Sequence, residues 1–316
     1  MRQGRAIWAI LLLAAILALG FPGFVAIAAG VEVGLAVANL GATSQARVAA
    51  EFEKVASSKG WTVITTNAAG SWSTFTSQME NLVSRRVRAI VVAMADLPSI
   101  QPAIDSALRA NIPVVAIDSG YVPGIVVNIT MNNFVAGAKV AQYLVDRLGG
   151  EGNVILFKFQ QHFGTRQRGK IMDTVLTEYP RIKVLAQHEL PPVGFVQDAQ
   201  AAMENFLARY GDRIDAVFAP WDDPAAAITQ AITAAGYKRD SMFVVGIDGT
   251  RQAYDMIRAG TPFVATVAQP FEAYADEAVR VVEELVVHGK TKEQVTGGVP
   301  TIYLDAPLIT PANVPR

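Results

Sequence analysis

Cysteine is absent from this chain of 316 residues, and histidine is scarce. The lack of cysteine excludes disulfides, thiolate metal sites, cysteine nucleophiles and a lipid-modified cysteine at a processing site. The three histidines, His162, His188 and His288, do not have the spacing of metal ligands, so no metal is expected. The formal net charge is −1 and no block of Lys or Arg occurs, so nucleic acid is not an expected partner.

Several sequence motifs of enzymes are also missing. No Gly-x-Gly-x-x-Gly fingerprint follows a strand-like run, no Gly-x-x-x-x-Gly-Lys-Ser/Thr phosphate loop occurs, and no Gly-x-Ser-x-Gly elbow is found. We therefore predict a protein that is not an enzyme and needs no cofactor. An enzyme of an unrecognised type is kept as an alternative, although no nucleophile with a neighbouring acid–base pair supports it.

The amino terminus has the three-part layout of a secretory signal peptide. Arg2 and Arg5 precede the apolar run Ala6–Leu19, Pro22 then interrupts the pattern, and small residues follow at a suitable cleavage site. The pattern predicts that residues 1–28 are a cleaved signal peptide and that the protein is exported to the periplasm. The alternative is a retained membrane anchor, because the stretch from Ala6 to Ala29 is just long enough to span a bilayer.

Beyond this segment, strand-like and helix-like stretches alternate. The predicted strands are rich in Val, Ile and Ala without regular alternation, which is typical of strands covered on both faces. They are Val31–Ala38, Thr62–Thr66, Ala89–Ala93, Val114–Asp118, Val126–Ile129, Asn153–Phe159, Lys183–His188, Ala216–Pro220, Phe243–Asp248 and Val264–Gln269. Ten strands are many for one sheet, whereas five and five suit two similar lobes.

The helical patterns lie between these strands. They are Gln45–Lys59, Thr76–Arg85, Pro98–Ala110, Phe134–Leu148, Thr165–Glu178, Asp198–Tyr210, Pro224–Ala235 and Phe271–Val287. Alternation of this kind, with right-handed crossovers, produces a doubly wound parallel sheet. The predicted fold class is therefore α/β, with two similar doubly wound parallel-sheet lobes.

Two aspartates end strand-like runs in different halves of the chain. Asp118 ends Ile112-Pro-Val-Val-Ala-Ile-Asp118, and Asp248 ends Phe243-Val-Val-Gly-Ile-Asp248. Ligands of open α/β sheets bind beyond the carboxyl ends of the strands, and a carboxylate can accept hydrogen bonds from two hydroxyl groups of a sugar or polyol. Each aspartate could equally be an ordinary turn or capping residue.

Other candidate ligand contacts follow strands in the same way. Arg166 and Arg168 open a predicted helix, where the dipole does not favour a cation; we expect Arg166 to have a partner and Arg168 to be solvated. Trp221 could stack on a sugar ring or belong to the core. His162 is a loop residue that could line the site, and Gln269 ends a strand where the chain could cross between lobes.

Taken together, these residues resemble those of the sugar-binding type I periplasmic binding proteins, the ribose-binding group that supplies ABC importers. The matching stretches are Ala110–Asp118, Thr165–Gly169, Ala216–Asp222, Val244–Thr250 and Ala265–Pro270. The resemblance covers Val31 to about Leu308. It implies three hinge crossovers, near Asn132, Gln269 and Leu304. The implied lobes are residues 29–132 with 270–304, and residues 133–269 with 305–316.

The resemblance also implies roles for individual residues. Asp118 and Asp248 would accept ligand hydroxyls on opposite lobes, Arg166 would donate, and Gln269 would reach the ligand from the hinge. The remaining implied or neighbouring ligand contacts are Phe195, Trp221, Asp222, Ser44 and His162. The implied function is capture of a sugar or similar hydroxylated molecule between the lobes and its delivery to the membrane permease of an ABC importer. We expect the protein to be a monomer.

The sequence departs from the ribose-binding pattern on the first lobe. The loop before the first helix, Leu40–Gln45, carries no aromatic residue, and Ser119 and Ala93 stand where ribose binders have an arginine and an asparagine. Ribose is therefore a doubtful ligand, and Trp72 and Tyr121 are candidate replacement aromatics. A sensor subunit for a chemotaxis or signalling receptor is the alternative function. A transcription repressor of this fold would need an amino-terminal helix-turn-helix, which the signal-like segment does not provide.

Overall fold

The computed structural model describes residues 30–316, so the predicted signal peptide of residues 1–28 lies outside the described residues. The chain forms two six-stranded sheets. The strands are β1 (Glu32–Val37), β2 (Thr62–Asn67), β3 (Ala89–Ala93), β4 (Val114–Ile117), β5 (Asn128–Thr130), β6 (Gly152–Lys158), β7 (Ile182–Glu189), β8 (Ala216–Phe218), β9 (Phe243–Asp248), β10 (Phe263–Ala268), β11 (Thr301–Tyr303) and β12 (Leu308–Ile309).

Helices cover both faces of each sheet. They are α1 (Thr43–Ser58), α2 (Trp72–Ser84), α3 (Gln101–Arg109), α4 (Asn133–Leu148), α5 (Phe163–Thr177), α6 (Phe195–Tyr210), α7 (Asp222–Ala234), α8 (Arg251–Arg258), α9 (Phe271–Val286) and α10 (Lys292–Thr296), with short 3-10 helices at Leu97–Ile100 and Gly211–Arg213. Among residues 30–316, none of the helices is both long and apolar enough to cross a membrane.

The strand order is β11-β5-β4-β3-β1-β2 in the first sheet and β12-β10-β9-β8-β6-β7 in the second. All pairings are parallel except that of β10 with β12. Helices α1, α2, α3, α9 and α10 pack with the first sheet, and α4 to α8 pack with the second. We call these two assemblies the first lobe and the second lobe. The predicted α/β class with two doubly wound lobes is confirmed.

The chain passes between the sheets three times, after β5, after β10 and between β11 and β12. The first passage is fixed by Asn132, whose side chain accepts hydrogen bonds from the backbone N–H groups of Phe134 and Val135 and so caps α4. The second passage contains Gln269 and Pro270, which directly precede α9. These passages bring the carboxyl ends of the strands of both sheets to the same region.

Burial of the strands on both faces explains why the sequence shows continuous apolar runs in place of alternating apolar and polar residues. Every residue of β3 and β4 is buried, because helices lie on both faces of the sheet. Burial of these Val, Ile and Ala side chains, at about 25 cal/mol per Å² of apolar surface, is the main stabilising term for each lobe. Rigid lobes of this kind hold the loops at the strand ends in fixed positions.

Two strands and two α-helices were not predicted from the sequence. Strands β11 and β12 have three and two residues, and α8 and α10 have eight and five. Elements this short show too few repeats for a periodicity to be recognised. Helix α2 also begins four residues earlier than predicted, because the hydroxyl of Ser71 accepts a hydrogen bond from the Thr74 N–H and caps the helix there.

Candidate functional site

A cavity lies between the two lobes, at the carboxyl ends of their strands. Its volume is about 80 Å³, several times the roughly 10–15 Å³ that one water molecule needs, so it has room for a small molecule. It is lined by Ala38, Asn39, Ala42, Ser44, Gln45, Gly70, Trp72, Met94, Asp118, Phe159, His162, Thr165, Arg168, Pro192, Phe195, Trp221, Asp248 and Gln269. Both lobes and the hinge therefore contribute to the lining.

The two strand-end aspartates have unusual backbone conformations. The φ angle is +42° at Asp118 and +149° at Asp248, and Met94 at the end of β3 has φ of +54°. These are three of the six non-glycine residues with positive φ in residues 30–316, and all three line the cavity. A positive φ at such residues costs about 1–3 kcal/mol and is concentrated at functional sites. The backbone strain is therefore evidence that this cavity is a functional site, and this evidence does not depend on which side chains line it.

Asp118 is held in the first lobe by neutral hydrogen-bond donors. Its Oδ1 accepts from the Thr130 hydroxyl at 2.6 Å and from the Asn133 side-chain amide at 2.8 Å. The residue is 1% exposed, and its Oδ2 lies 3.6 Å from Arg168 Nη2. Because Oδ1 is already occupied, the carboxylate presents its second oxygen in a fixed direction.

Asp248 is the counterpart of Asp118 in the second lobe. Its Oδ1 accepts a hydrogen bond from Gln269 Nε2 at 2.7 Å, and Gln269 Oε1 in turn accepts from the Tyr274 hydroxyl at 3.3 Å. Burial raises the pKa of Asp248 well above its ordinary value, and the guanidinium of Arg168 opposes this only in part. A carboxyl group in this position can exchange hydrogen bonds with the hydroxyl groups of a ligand.

Arg168 is the cation of the site. Its Nη2 lies 3.6 Å from Asp118 Oδ2 and its Nη1 lies 3.8 Å from Asp248 Oδ1. The guanidinium is oriented by two other groups: Nε donates to Asn133 Oδ1 and Nη1 donates to the Pro220 carbonyl, both at 2.8 Å. With 2% of its surface exposed, Arg168 contradicts the expectation of a solvated side chain.

Arg166 is not part of the cavity lining, contrary to its expected role. Its Nη2 pairs with Asp96 Oδ1 of the first lobe at 2.6 Å, and its Nη1 donates to the Gln160 carbonyl. Residues two apart on a helix point in nearly opposite directions, so only one of the two arginines can face the cleft. Helical spacing could have identified Arg168 as the buried arginine. It lies four residues before Met172 and eight before Leu176, on the same buried face of α5.

Aromatic side chains form one wall of the cavity. Trp221 is in contact with Phe159 and Phe195, with ring centroids 5.4 and 5.1 Å away and interplanar angles of 67° and 68°. Edge-to-face contacts of this kind stabilise the cluster and fix the orientation of each ring. Phe195 and Trp221 were predicted at the site, whereas Phe159, the residue after β6, was missed.

Asp222 lies behind the cavity and does not line it, contrary to its expected role. Its Oδ2 accepts from the Thr250 N–H and its Oδ1 from the Thr266 hydroxyl, both at 2.8 Å. Burial raises the pKa of Asp222 to about 6, against the effect of these hydrogen bonds. The residue therefore ties the loop after β9 to β10, and in this way supports Asp248 without facing the cavity.

The first lobe supplies the remaining polar groups. Ser44, in the first turn of α1, lines the cavity and is 7% exposed. Gln45 also lines it, with its Oε1 accepting from the Asn39 N–H at 2.6 Å. Ser119, which follows Asp118, is absent from the lining, because its hydroxyl donates to the Ile117 carbonyl and accepts from the Ala95 N–H.

His162 connects the lobes at the edge of the cavity. Its Nε2 lies 2.7 Å from the Asp118 carbonyl, and its Nδ1 accepts from the Thr165 N–H at the start of α5. These two contacts require a neutral ring that carries its proton on Nε2. Burial lowers the pKa of His162, with the Asp118 carboxylate opposing the shift and the guanidiniums of Arg168 and Arg166 adding to it.

The two aromatic residues suggested for the first lobe differ in position. Trp72 lines the cavity, because the early start of α2 places it beside the loop after β2. Tyr121 does not line it; the residue is 39% exposed and its ring lies under the ammonium of Lys292. In the part of the chain that the structure describes, no group of three or more His, Asp or Glu side chains could hold a metal ion.

The chain is similar to known proteins along most of its length. The sequence matches the periplasmic binding protein domain over residues 33–291. It is 32% identical to the xylitol-binding protein of Mycolicibacterium smegmatis over 236 residues, which are 74% of this chain and 66% of that protein. It is 28% identical to the ribose import binding protein RbsB of Bacillus subtilis over 260 residues, which are 82% of each.

The fold is also similar to that of a solved protein structure. An ABC transporter solute binding protein from Agrobacterium vitis, crystallised with bound allitol, superposes with a TM-score of 0.82 at 26% identity. The match covers 90% of this chain and 97% of that chain.

Proposed function

Because this chain belongs to the periplasmic binding protein family, we propose that it binds a small hydroxylated molecule between its lobes and delivers it to an ABC importer. One observation carries the proposal: Asp118 and Asp248, from opposite lobes, and the buried Arg168 between them all line the same cavity between the lobes. A neutral polyol or sugar satisfies such a site, because its hydroxyls can donate to carboxylates and accept from a guanidinium. No step of bond making or breaking is required.

We place acyclic polyols first among the ligand classes. The relatives that support this order are the xylitol-binding protein and the solute binding protein that holds allitol. The carbon chain of a polyol would lie against Trp221 and Phe195, and its hydroxyls would meet the carboxylates and Gln269. Ribose is placed lower, because the first lobe offers Ser119 and Ala93 where ribose binders carry an arginine and an asparagine.

The proposal also covers the export of the protein and its delivery of the ligand to the permease. We infer that residues 1–28 are removed as a signal peptide, that the mature protein starts near Ala29, and that it acts in the periplasm as a monomer. A ligand that binds the closed form more tightly than the open form shifts the protein towards the closed form. The closed form would then present the surface that the permease recognises. The mass of the exported protein tests the predicted cleavage directly.

Titration calorimetry tests the binding function. Xylitol, ribitol, allitol and ribose are each titrated into the purified chain from residue 29 onward, with the sugar acid xylonate as a charged comparison. We expect at least one neutral polyol to bind with micromolar affinity or better, and xylonate to bind far more weakly because its carboxylate would face two buried aspartates. Absence of binding to all neutral ligands would contradict the proposal.

A further inference from the structure

Hydrogen bonds join the two lobes outside the ligand cavity. The carboxylate of Asp223, in the second lobe, accepts from the backbone N–H of Thr43 in the first lobe at 2.9 Å. The carboxylate of Asp96, in the first lobe, pairs with Arg166 of the second at 2.6 Å. None of these four residues lines the cavity. The contacts therefore hold the lobes together without touching a ligand.

The contact of Asp223 compensates for a missing helix cap. Helix α1 starts after Ala42, which has no side chain that can accept a hydrogen bond, and its first turn contains no acidic residue. A helix that starts in this way leaves its first N–H groups unpaired, and the positive end of its dipole unbalanced. Asp223 supplies the missing acceptor from the opposite lobe.

Asp223 serves two helices at once in this position. It lies in the first turn of α7, where a negative charge is favourable, and it also meets the first turn of α1. The amino-terminal ends of the two helices thus share one carboxylate across the cleft. If the lobes moved apart, α7 would keep this charge and α1 would lose it, so the interaction favours the closed form alone.

The pair of Asp96 and Arg166 is held in place from both sides. Asp96 is 8% exposed, and its second oxygen accepts from the Ser99 hydroxyl at 2.7 Å. Arg166 is fixed by its bond to the Gln160 carbonyl, also at 2.7 Å. Because both side chains are already oriented within their own lobes, forming the pair loses little additional side-chain entropy.

We propose that Asp223 with Thr43 and Asp96 with Arg166 form a closure clamp, which sets how readily the lobes close and thereby tunes the affinity for every ligand of this site. The four residues act as positioning residues. This inference rests on the proposed function only in taking the cavity as the place of binding. A clamp of this kind raises the affinity without changing which ligand is preferred, because it does not contact the ligand.

The test compares Asp223→Ala, Arg166→Met and the double variant with wild type. Asp212→Ala is the matched control, because Asp212 is an exposed carboxylate of the same lobe. Dissociation constants are measured for xylitol and ribitol. We expect each single variant to weaken the binding of both ligands by about 3- to 10-fold, in line with the loss of a helix cap or of a partly buried ion pair. The ratio of the two constants should stay at its wild-type value.

A second measurement follows closure directly. The chain has no cysteine, so the substitutions Ser57→Cys and Ala201→Cys, at exposed helical positions of the first and second lobes, allow one spin label on each lobe. We expect the double variant to show a smaller closed fraction than wild type at the same xylitol concentration and without ligand. Higher salt should reduce the difference, mainly because it screens the exposed contact of Asp223 with Thr43.

The possible outcomes separate the clamp from the binding function. If the distances and dissociation constants of the double variant equal those of Asp212→Ala, the clamp is wrong while the proposed function stands. A changed ratio between xylitol and ribitol also overturns it, since the residues would then act on the ligand. If even wild type binds none of the polyols and sugars, the proposed function fails, and the ligand-free distances alone decide on the clamp.

Discussion

Arg168 Nη2 lies 3.6 Å from Asp118 Oδ2, although Arg168 belongs to the second lobe and Asp118 to the first. The same guanidinium reaches Asp248 of its own lobe at 3.8 Å. The three side chains are at most 2% exposed. A buried cation between two buried carboxylates offsets part of the free-energy cost of removing their charges from water.

Loss of the Arg168 guanidinium should therefore abolish tight binding. We expect Arg168→Met to weaken polyol affinity by at least about 100-fold, because hydrogen bonds to a charged group contribute roughly 1.5–3 kcal/mol each. The free energy of unfolding should also fall, by about 3 kcal/mol, since two buried carboxylates lose their partner. Calorimetry and urea unfolding measure the two effects. Lys170→Met, an exposed change on the same helix, should leave both unchanged; equal effects of the two variants would contradict the prediction.

Asp222 should make the stability of the protein depend on pH. Its folded-state pKa is raised to about 6, so the folded protein holds this proton more tightly than the unfolded chain. Stability is then lost as pH rises from the ordinary aspartate pKa towards 6, by about 2 kcal/mol. Asp222→Asn lacks this titration but also loses one hydrogen bond.

Urea unfolding of wild type and Asp222→Asn at pH 4 and pH 7 checks this. The variant should be less stable at pH 4, and its deficit should shrink at pH 7. If the stability difference between wild type and Asp222→Asn grew with pH, the surroundings would favour the ionised carboxylate, and the prediction would be wrong.

His162 should weaken closure in acid. The pKa of the ring is lowered, so the neutral form is favoured in the closed protein. The contribution of the neutral ring to closure is complete above pH 6.5, the ordinary pKa of histidine. This contribution is lost as the pH falls below that value. A protonated ring could not accept from the Thr165 N–H. Polyol affinity should therefore decline between pH 7 and pH 5.

The variant His162→Gln isolates this effect from the titration of Asp248 and Asp222. Glutamine keeps an N–H donor for the Asp118 carbonyl but does not titrate. The ratio of wild-type to variant affinity should therefore fall as pH decreases. A constant ratio over this range would remove His162 as the cause.

Gly249 should be essential for the loop that carries Asp248. Its φ is +68°, and a Cβ atom there would lie 2.6 Å from Ala268 Cα and 2.7 Å from the Tyr254 hydroxyl. We expect Gly249→Ala to lower the free energy of unfolding by about 3 kcal/mol, the combined effect of strain and overpacking. Gly236→Ala is the control, because Gly236 has φ of +89° but a Cβ atom there would meet nothing within 4 Å.

The control should show the cost of the positive φ alone, about 1 kcal/mol. The difference between the two variants in urea unfolding then measures the close packing of the loop. Similar losses in both would mean that the loop of Asp248 adjusts without cost.

Some of the predicted site residues line the cavity and others do not, and these differences have physical causes. Asp118 and Asp248 could be located because a strand that is buried along its length gives a visible run, and each run ends at its aspartate. Arg168 was misjudged because charge suggested solvent, whereas the spacing to Met172 shows that it lies on the buried face of α5. Asp222 was placed at the ligand because it follows a strand, but its oxygens are occupied by Thr250 and Thr266.

The sequence by itself determined the class of fold and the positions of the strand ends, because hydrophobic period and turn residues act over a few neighbouring residues. It could not determine which side chains meet across the cleft. The pairing of Asp118 with Arg168, the contact of Asp223 with Thr43 and the pair of Asp96 and Arg166 join residues of different lobes. Such contacts depend on the relative placement of two packed lobes, so only the tertiary structure decides them.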